Sequence, residues 1–428
     1  MNLLDELAWR GLVHQVTDEA VARLAFDAQS SAYIGFDPSG SSLHVGSLLP
    51  ILTLRRLQLA GHRPIALVGG GTGLIGDPSG KSQERLLLDD DTVRANVDGI
   101  HGQLAGFLDF DGANAARMIN NLDWLGKVDL LTFLRDIGKH FSINAMVQRD
   151  SVRDRLETRE QGISFTEFSY MLLQAYDFMV LYRDHGCMAQ FGGSDQWGNI
   201  VSGIDLIRRL GLSGSTPFGV TSPLITTRAG TKFGKTESGA VWLDPKRTSP
   251  YAFYQFWINV EDEDVGRYLR FFTFLERAEI EAIELEHAAA PHRREAQRKL
   301  AREVTSMTHG KDALEQAERA TRVLFTGDVQ GLDAATLEEI FADVPSVSLT
   351  SGELEQSHWA VRTWLVGPDR PFASNGEAKK ALKAGSVRVN GERLEGDINA
   401  RLDASQLIEG KLAIIRVGKK RYWLARLR

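Results

Sequence analysis

Apolar and polar positions along the chain alternate between two periods. The opening MNLLDELAWRGLV spaces its leucines and tryptophan at helical intervals and predicts an amphipathic helix. Tyr33 starts a short apolar run, YIGF, that breaks at Asp37-Pro38-Ser39-Gly40 and re-enters a helical pattern after Leu43. That pattern predicts a strand, a tight polar turn, and a helix whose first turn holds His44-Val45-Gly46-Ser47. A helical stretch follows over 48–60, then a short buried strand, Pro64-Ile65-Ala66-Leu67-Val68, running into GGGTGLIG at 69–76. Arg117-Met118-Ile119-Asn120 reads as another strand, and 123–160 as charged amphipathic helices inserted after the central strands. FTEFSYMLLQAYDF at 165–178 predicts a helix, and MAQFGGSDQW at 188–197 a strand, a double glycine and a helix start. From Pro250 to about 326 the pattern is helical, and 328–357, with scattered Gly, Pro and Ser, reads as a partly helical linker. The tail offers a helix start at Ser374-Asn375-Gly376-Glu377, then Val387-Arg388-Val389, an Asn390-Gly391 hairpin signal and further short strands.

A chain of 428 residues is too long for one compact core, so two or three domains are expected. Charged residues make up 25%, as in ordinary globular proteins, and no apolar run nears membrane-spanning length. Cys187 is the single cysteine, which excludes an internal disulfide and fits a reducing compartment. The start carries acids and no basic leader, so a cytoplasmic protein is expected. The net charge of −6 is unevenly spread. From Glu353 onward 15 Lys and Arg face 9 Asp and Glu, a surplus of +6 that leaves −12 for the preceding residues. An acidic body with a basic tail points to a polyanion at one end.

Three stretches carry candidate chemistry. Helix starts attract anions through unpaired backbone N–H groups and the helix dipole, and there His44 can donate to a phosphate oxygen while Gly46 lets a flat ring approach the backbone. Tyr170, Gln174 and Asp177 fall at i, i+4 and i+7 of one helix, a polar stripe expensive to bury without a partner. In TKFGKT at 231–236, Lys232 and Lys235 flank a glycine and can follow phosphate charge as it develops. Two competing motifs are weaker. Gly71, Gly73 and Gly76 match a dinucleotide fingerprint, yet Asp77 would repel a pyrophosphate, and GDPSGKS at 76–82 is one residue short of a P-loop.

YIGFDPSG followed by HVGS resembles the first signature of class I aminoacyl-tRNA synthetases, in particular their tyrosyl branch, and KFGKT is similar to that branch's form of the second signature. The resemblance covers essentially the full length. It implies a Rossmann-like α/β catalytic domain over 1–247, an α-helical anticodon-binding domain over 248–326, a linker over 327–357, and a small α+β S4-like RNA-binding domain over 358–428. The implied reaction joins L-tyrosine to ATP as tyrosyl-adenylate, then transfers it to tRNA(Tyr), with Mg²⁺ accompanying ATP and no dedicated metal site. Tyr33 and Asp177 would hold the phenol hydroxyl, Asp77, Tyr170 and Gln174 the amino group, with Gln190 also reaching the amino acid. A site that satisfies a hydroxyl rejects the analogue lacking it, a rule for which the tyrosyl enzymes are the standard illustration. ATP would meet Gly35, Asp37, Ser39, His44, Gly46, Ser47, Gly192, Asp195, Gln196 and Thr236. Gly192 and Gly193 would leave room for ribose, whose hydroxyls Asp195 accepts, and Gln196 would lie beside the aminoacyl group. His44, Lys81, Arg85, Lys232 and Lys235 would stabilise the transition state. In the tail, Lys379, Lys380, Lys383 and Arg388 would meet RNA backbone, and the charged helices of 123–160 would carry a homodimer interface. The chain departs from the family pattern at Ser47 (usually His or Asn), Ser39 (commonly Thr) and Ile34 (often Cys). The alternatives are the tryptophanyl branch, a nucleotidylyltransferase with a similar HxGH-like start, and an RNA-binding protein that lost activity. The Tyr33–Asp177 pair and the tail argue against the first, the polar stripe and the tail against the second, and the lysines of TKFGKT against the third.

Overall fold

The computed structural model describes residues 2–428 apart from 80–87, 150–151, 154–155, 157–161, 213, 227–232, 237–238, 327–328, 330, 343 and 419–420. Two compact units divide the chain, one of residues 1–248 and 256–308, the other of 249–255 and 309–428.

In the first unit, β1 (Gln15–Val16), β2 (Ser31–Phe36), β3 (Arg63–Val68), β4 (Arg117–Asn120), β5 (Ala189–Gly193) and β6 (Phe218–Ser222) form one sheet in the order β1-β6-β5-β2-β3-β4. Neighbours run parallel except β1 beside β6. Parallel strands covered on both faces need continuous apolar sequence, which Ile65-Ala66-Leu67-Val68 supplies, all four buried. The order grows from β2 through β3 to β4, then restarts at β5 on the other side of β2. Open α/β sheets bind ligands at such a switch, outside the carboxyl ends of the strands. Here the switch is physically open. β2 pairs with β3 over all six residues but with β5 only at Ala32↔Ala189 and Tyr33↔Gln190, after which the two strands part.

The helix Phe165–His185 packs Ala175, Phe178, Met179 and Leu181 against Tyr33, Ile65 and Leu67 of the sheet and Leu206 and Ile207 of the helix Trp197–Arg209. Gly186 ends the first of these helices in the left-handed conformation, φ 64°.

The helices Val265–Phe272 and Arg277–Ala289 belong to this unit, so the contacts do not separate a helical domain beginning at 248. Two buried arginines explain the attachment. Arg10 donates to the carbonyls of Arg270 (3.1 Å), Thr273 (3.2 Å) and Leu275 (2.9 Å), and Arg56 to those of Phe271 (2.9 Å) and Thr273 (2.8 Å). Cations at a helix C-terminus satisfy its unpaired carbonyls and its dipole. Sequence spacing gives no hint of this long-range clamp.

In the second unit, β9 (Ser346–Leu349), β10 (Val387–Val389), β11 (Glu392–Arg393), β12 (Leu412–Val417) and β13 (Arg421–Leu427) make a sheet in the order β11-β10-β12-β13-β9. Asn390 (φ 49°) and Gly391 (φ 87°) turn the β10–β11 hairpin, the positive φ angles that a two-residue turn demands. The stretch 327–357 is not a separate linker. It supplies β9, which pairs in parallel with β13, and buries Leu337, Phe341, Val347, Leu349 and Leu354. The period-two alternation of Ser346-Val347-Ser348-Leu349 was the signal for that edge strand.

Candidate active site

The crevice between β2 and β5 is floored by Tyr33 and Gln190, opposite one another on adjacent strands. Both are buried, at 1% and 3% exposure. Among the described residues neither the Tyr33 hydroxyl nor Gln190 Oε1 has a hydrogen-bond partner. Two buried orphan polar atoms at a strand switch each carry a desolvation cost unless a ligand completes them. Two residues along β2, a Cβ built on Gly35 would meet nothing within 4 Å, so the strand edge faces open space.

Asp177 faces the same region from the helix Phe165–His185. Its carboxylate accepts from Asn121 Nδ2 (2.9 Å) and Trp124 Nε1 (2.7 Å). Burial pushes it up to about 7 even though both donors pull it down, and the charge of Asp37 adds to the rise. Burial, then the charge of Asp177, also holds the Tyr33 phenol well above its usual value, so it stays a donor.

Two turns back along this helix, the Tyr170 hydroxyl donates to Asp37 at 3.1 and 3.3 Å. Thr72 Oγ1 donates to the same carboxylate (3.1 Å) and accepts from Asn121 Nδ2 (3.0 Å), which ties Asp37 to Asp177. Asp37, assigned by sequence to ATP, thus stands at Tyr170. Burial and the charges of Asp37, Asp77 and Asp177 raise Tyr170 well above the ordinary phenol range. Gln174 Nε2 donates to Gln196 Oε1 (3.0 Å), and Gln196 Nε2 to Asp77 Oδ2 (2.7 Å). Asp77, Tyr170, Gln174 and Gln196 therefore form one acidic, acceptor-rich wall.

His44 caps the helix Val45–Leu59, its Nδ1 accepting from the Gly46 N–H at 3.0 Å. A neutral imidazole that accepts at Nδ1 carries its proton on Nε2. A Cβ on Gly46 would come within 2.7 Å of the ring, which explains glycine there. The His44 ring meets Trp242 edge-on at 6.2 Å, and Arg247 stacks 3.3 Å above that indole. Ser39 and Ser47 are held by backbone bonds to Asp37 and His44. Gly192 and Gly193 lie at the end of β5, where a Cβ would strike Gln196 and Asp195.

The second signature lies against the first. The backbones of β7 (Lys235–Thr236) and β8 (Gly239–Ala240) pair, Val241 N donates to the carbonyl of Gly234, and Val45 N donates to that of Val241. Gly234 (φ 83°) sits where a Cβ would be 2.5 Å from Val45 Cγ2. Phe233, 6% exposed, meets the rings of Phe256, Trp257, Tyr268 and Phe272 at 4.9–5.6 Å. Lys81, Arg85 and Lys232 lie outside the described residues. Of Lys235 and Thr236 only the backbone is described.

Lys379, Lys380 and Lys383 are exposed on the helix Asn375–Lys383 of the second unit, and Arg388 is half-buried with its Nη1 on the Gly391 carbonyl. Sequence reasoning did not select Thr72, Asn121, Trp124, Asn199 or Phe233. Asn120-Asn121 at the carboxyl end of β4 was the one usable signal, because polar residues at strand carboxyl ends line such crevices.

A family model described as "tRNA synthetases class I (W and Y)" matches residues 27–326, and one described as "Tyrosine–tRNA ligase SYY-like C-terminal domain" matches 336–425. The chain is 53% identical over 428 residues to the tyrosine–tRNA ligase of Geobacillus kaustophilus, covering 100% of each. It is 51% identical over 426 residues to tyrosine–tRNA ligase 1 of Bacillus subtilis, covering 99% of each. Among solved structures, a C-terminally truncated mitochondrial tyrosyl-tRNA synthetase of Aspergillus nidulans superposes with a TM-score of 0.69 at 35% identity, over 76% of this chain and 94% of that one. With full-length relatives of this identity, and both signatures folded against one another at the switch of the sheet, the chain belongs to the tyrosine–tRNA ligase family of class I tRNA synthetases.

Proposed function

We infer that the chain activates L-tyrosine with ATP, giving tyrosyl-adenylate and pyrophosphate, and then passes the tyrosyl group to the 3′ end of tRNA(Tyr). The observation that carries the amino-acid choice is the pair of buried orphan groups, Tyr33 hydroxyl and Gln190 Oε1, the first close enough to Asp177 to feel its charge. A phenol hydroxyl entering there donates to Asp177 and accepts from Tyr33. Phenylalanine leaves the buried Tyr33 hydroxyl unpaired and gives Asp177 no third donor, a penalty that a merely apolar pocket does not impose. The ammonium of tyrosine is received by Asp77, Tyr170 and Gln174, in a wall whose carboxylates favour a cation.

The tyrosine carboxylate attacks the α-phosphorus, the bond to the bridging oxygen breaks, and pyrophosphate leaves. No side chain becomes covalently attached. His44 donates Nε2–H to a phosphate oxygen, Gly46 and Gly192 let the nucleotide lie close to the backbone, and Asp195 accepts from ribose. Lys81, Arg85, Lys232 and Lys235 neutralise the charge that builds on the leaving pyrophosphate. Mg²⁺ would arrive with ATP and supply positive charge to its phosphates. In the second step a hydroxyl of the terminal ribose attacks the tyrosyl carbonyl and AMP departs.

The helices of 248–326 serve the anticodon side, and Lys379, Lys380, Lys383 and Arg388 meet the RNA backbone. A homodimer is supported by the exposed apolar side chains Leu130, Leu131, Leu134 and Ile143. The enzyme works in the cytoplasm, with the rest of translation. ATP–pyrophosphate exchange without tRNA, compared for tyrosine, phenylalanine and tryptophan, tests the reading. Exchange with tyrosine alone is expected. Exchange with tryptophan would move the site to the sister branch and discredit the Tyr33–Asp177 assignment.

A further inference from the structure

Five residues close a ring of hydrogen bonds behind the acceptor-rich wall. Gln196 Nε2 donates to Asp77 Oδ2 (2.7 Å), and Gln174 Nε2 donates to Gln196 Oε1 (3.0 Å). Asn199 Nδ2 donates to Gln174 Oε1 (2.8 Å), to Gln196 Oε1 (3.2 Å) and, more weakly, to Ser79 Oγ (3.4 Å). The Ser79 N–H returns to Asp77 Oδ1 at 2.8 Å. Asp77, Gln174 and Gln196 are half-buried, whereas Asn199 and Ser79 are 4% and 5% exposed and lie behind them.

The direction of this ring is set by chemistry. An ionised carboxylate only accepts, so Gln196 must turn its NH₂ toward Asp77 and its oxygen toward Gln174 and Asn199. Gln174 must then present its NH₂ to Gln196, and its oxygen faces Asn199. We propose that Asn199 is a positioning residue for amino-acid recognition: its amide holds the carbonyl oxygen of Gln174 so that the wall offers an acceptor, and not an NH₂ group, to a substrate ammonium. Gln174 Oε1 has two lone pairs, and Asn199 engages one of them. Without that donor one of the two bonds holding the Gln174 amide is lost, and only its bond to Gln196 opposes a flip of its NH₂ toward the cation it should receive. Asn199 stands in the first turn of the helix Trp197–Arg209, three residues past the Gly-Gly-Ser-Asp-Gln turn.

The inference rests on the assignment of Asp77, Tyr170 and Gln174 to the ammonium, and the test separates the two. Tyramine and 4-ethylphenol differ only in the ammonium group. Each is measured as a competitive inhibitor of tyrosine-dependent ATP–pyrophosphate exchange in the full-length wild type, Asn199→Leu and Asn199→Ala. Leu keeps the side-chain shape without a donor, and Ala removes shape and donor together. In both variants the inhibition constant of tyramine is expected to rise about tenfold, as for loss of a hydrogen bond that leaves its partner unsatisfied, while that of 4-ethylphenol stays unchanged. Equal weakening of both inhibitors, loss in the Ala variant alone, or no change for tyramine would overturn the proposal. If the wild type itself held 4-ethylphenol as tightly as tyramine, the ammonium assignment would fall first and the proposal with it.

Discussion

Asp177 titrates near neutrality in the free enzyme, and that has two measurable consequences of opposite sense. Its carboxyl rises from 3.8 to about 7, chiefly through burial. A shift of roughly three units is worth about 4 kcal/mol between the neutral and charged forms. The folded state therefore binds more protons than the unfolded state between about pH 4 and 7, and this residue's contribution to stability falls as pH rises through that window and levels off above it. Substrate binding runs the other way. A phenol hydroxyl donating to Asp177 favours the charged form, so tyrosine lowers its pKa. The kcat/KM for tyrosine in ATP–pyrophosphate exchange should climb up to tenfold per unit below about pH 7 and flatten above it, with kcat much less affected. Asp177→Asn should remove the bend and lower kcat/KM by about 30-fold or more, the loss expected for one hydrogen bond to a charged group. The same bend surviving in Asp177→Asn would assign it to another group and refute the reasoning. A flat wild-type profile would do the same.

Three further outcomes follow from the geometry. Gly46→Ala puts a methyl within 2.7 Å of the His44 ring, so adenylate formation should fall about 100-fold with tyrosine affinity unchanged, measured in single-turnover burst experiments. Arg56→Ala removes the side-chain donor to the Phe271 carbonyl and one of the two to that of Thr273, and should cost about 3 kcal/mol in urea unfolding, whereas Arg56→Met, which also relieves a buried charge, should cost less. Phe233→Ala should cost about 3 kcal/mol by emptying a cluster of four rings, and should reduce kcat more than it raises KM for tyrosine, because Phe233 anchors the loop that carries Lys235.

What could be read from the sequence was local. The alternation from strand to turn to helix at Tyr33–Ser47 and the apolar runs at 64–68 and 117–120 are decided within a few residues, and so are β2, β3 and β4. The polar stripe of Tyr170, Gln174 and Asp177 is likewise a matter of helical repeat. Its partners are not. Asn121 and Trp124 reach Asp177 because β4 is registered on β3 with Val68 opposite Asn120, and register between strands separated by about fifty residues leaves no periodic trace. Arg10, Arg56 and Phe233 fail to show for the same reason, since each acts on carbonyls or rings far along the chain.

The arrangement of charge explains why one crevice can both choose the amino acid and drive its activation. Asp37, Asp77 and Asp177 gather on the side of Tyr170, where a cation and a phenol proton are to be received. On the proposed reading the phosphates lie at the first turn of the helix Val45–Leu59, which His44 caps and to which the backbone of the strand carrying Lys235 is joined through Val241. An ATP drawn toward the acidic end would be repelled. On the proposed reading the charge along the crevice favours the direction in which the two substrates lie, carboxylate toward phosphate. Moving one carboxylate across that divide, for instance by Ser47→Asp, would weaken ATP binding without disturbing the phenol contacts.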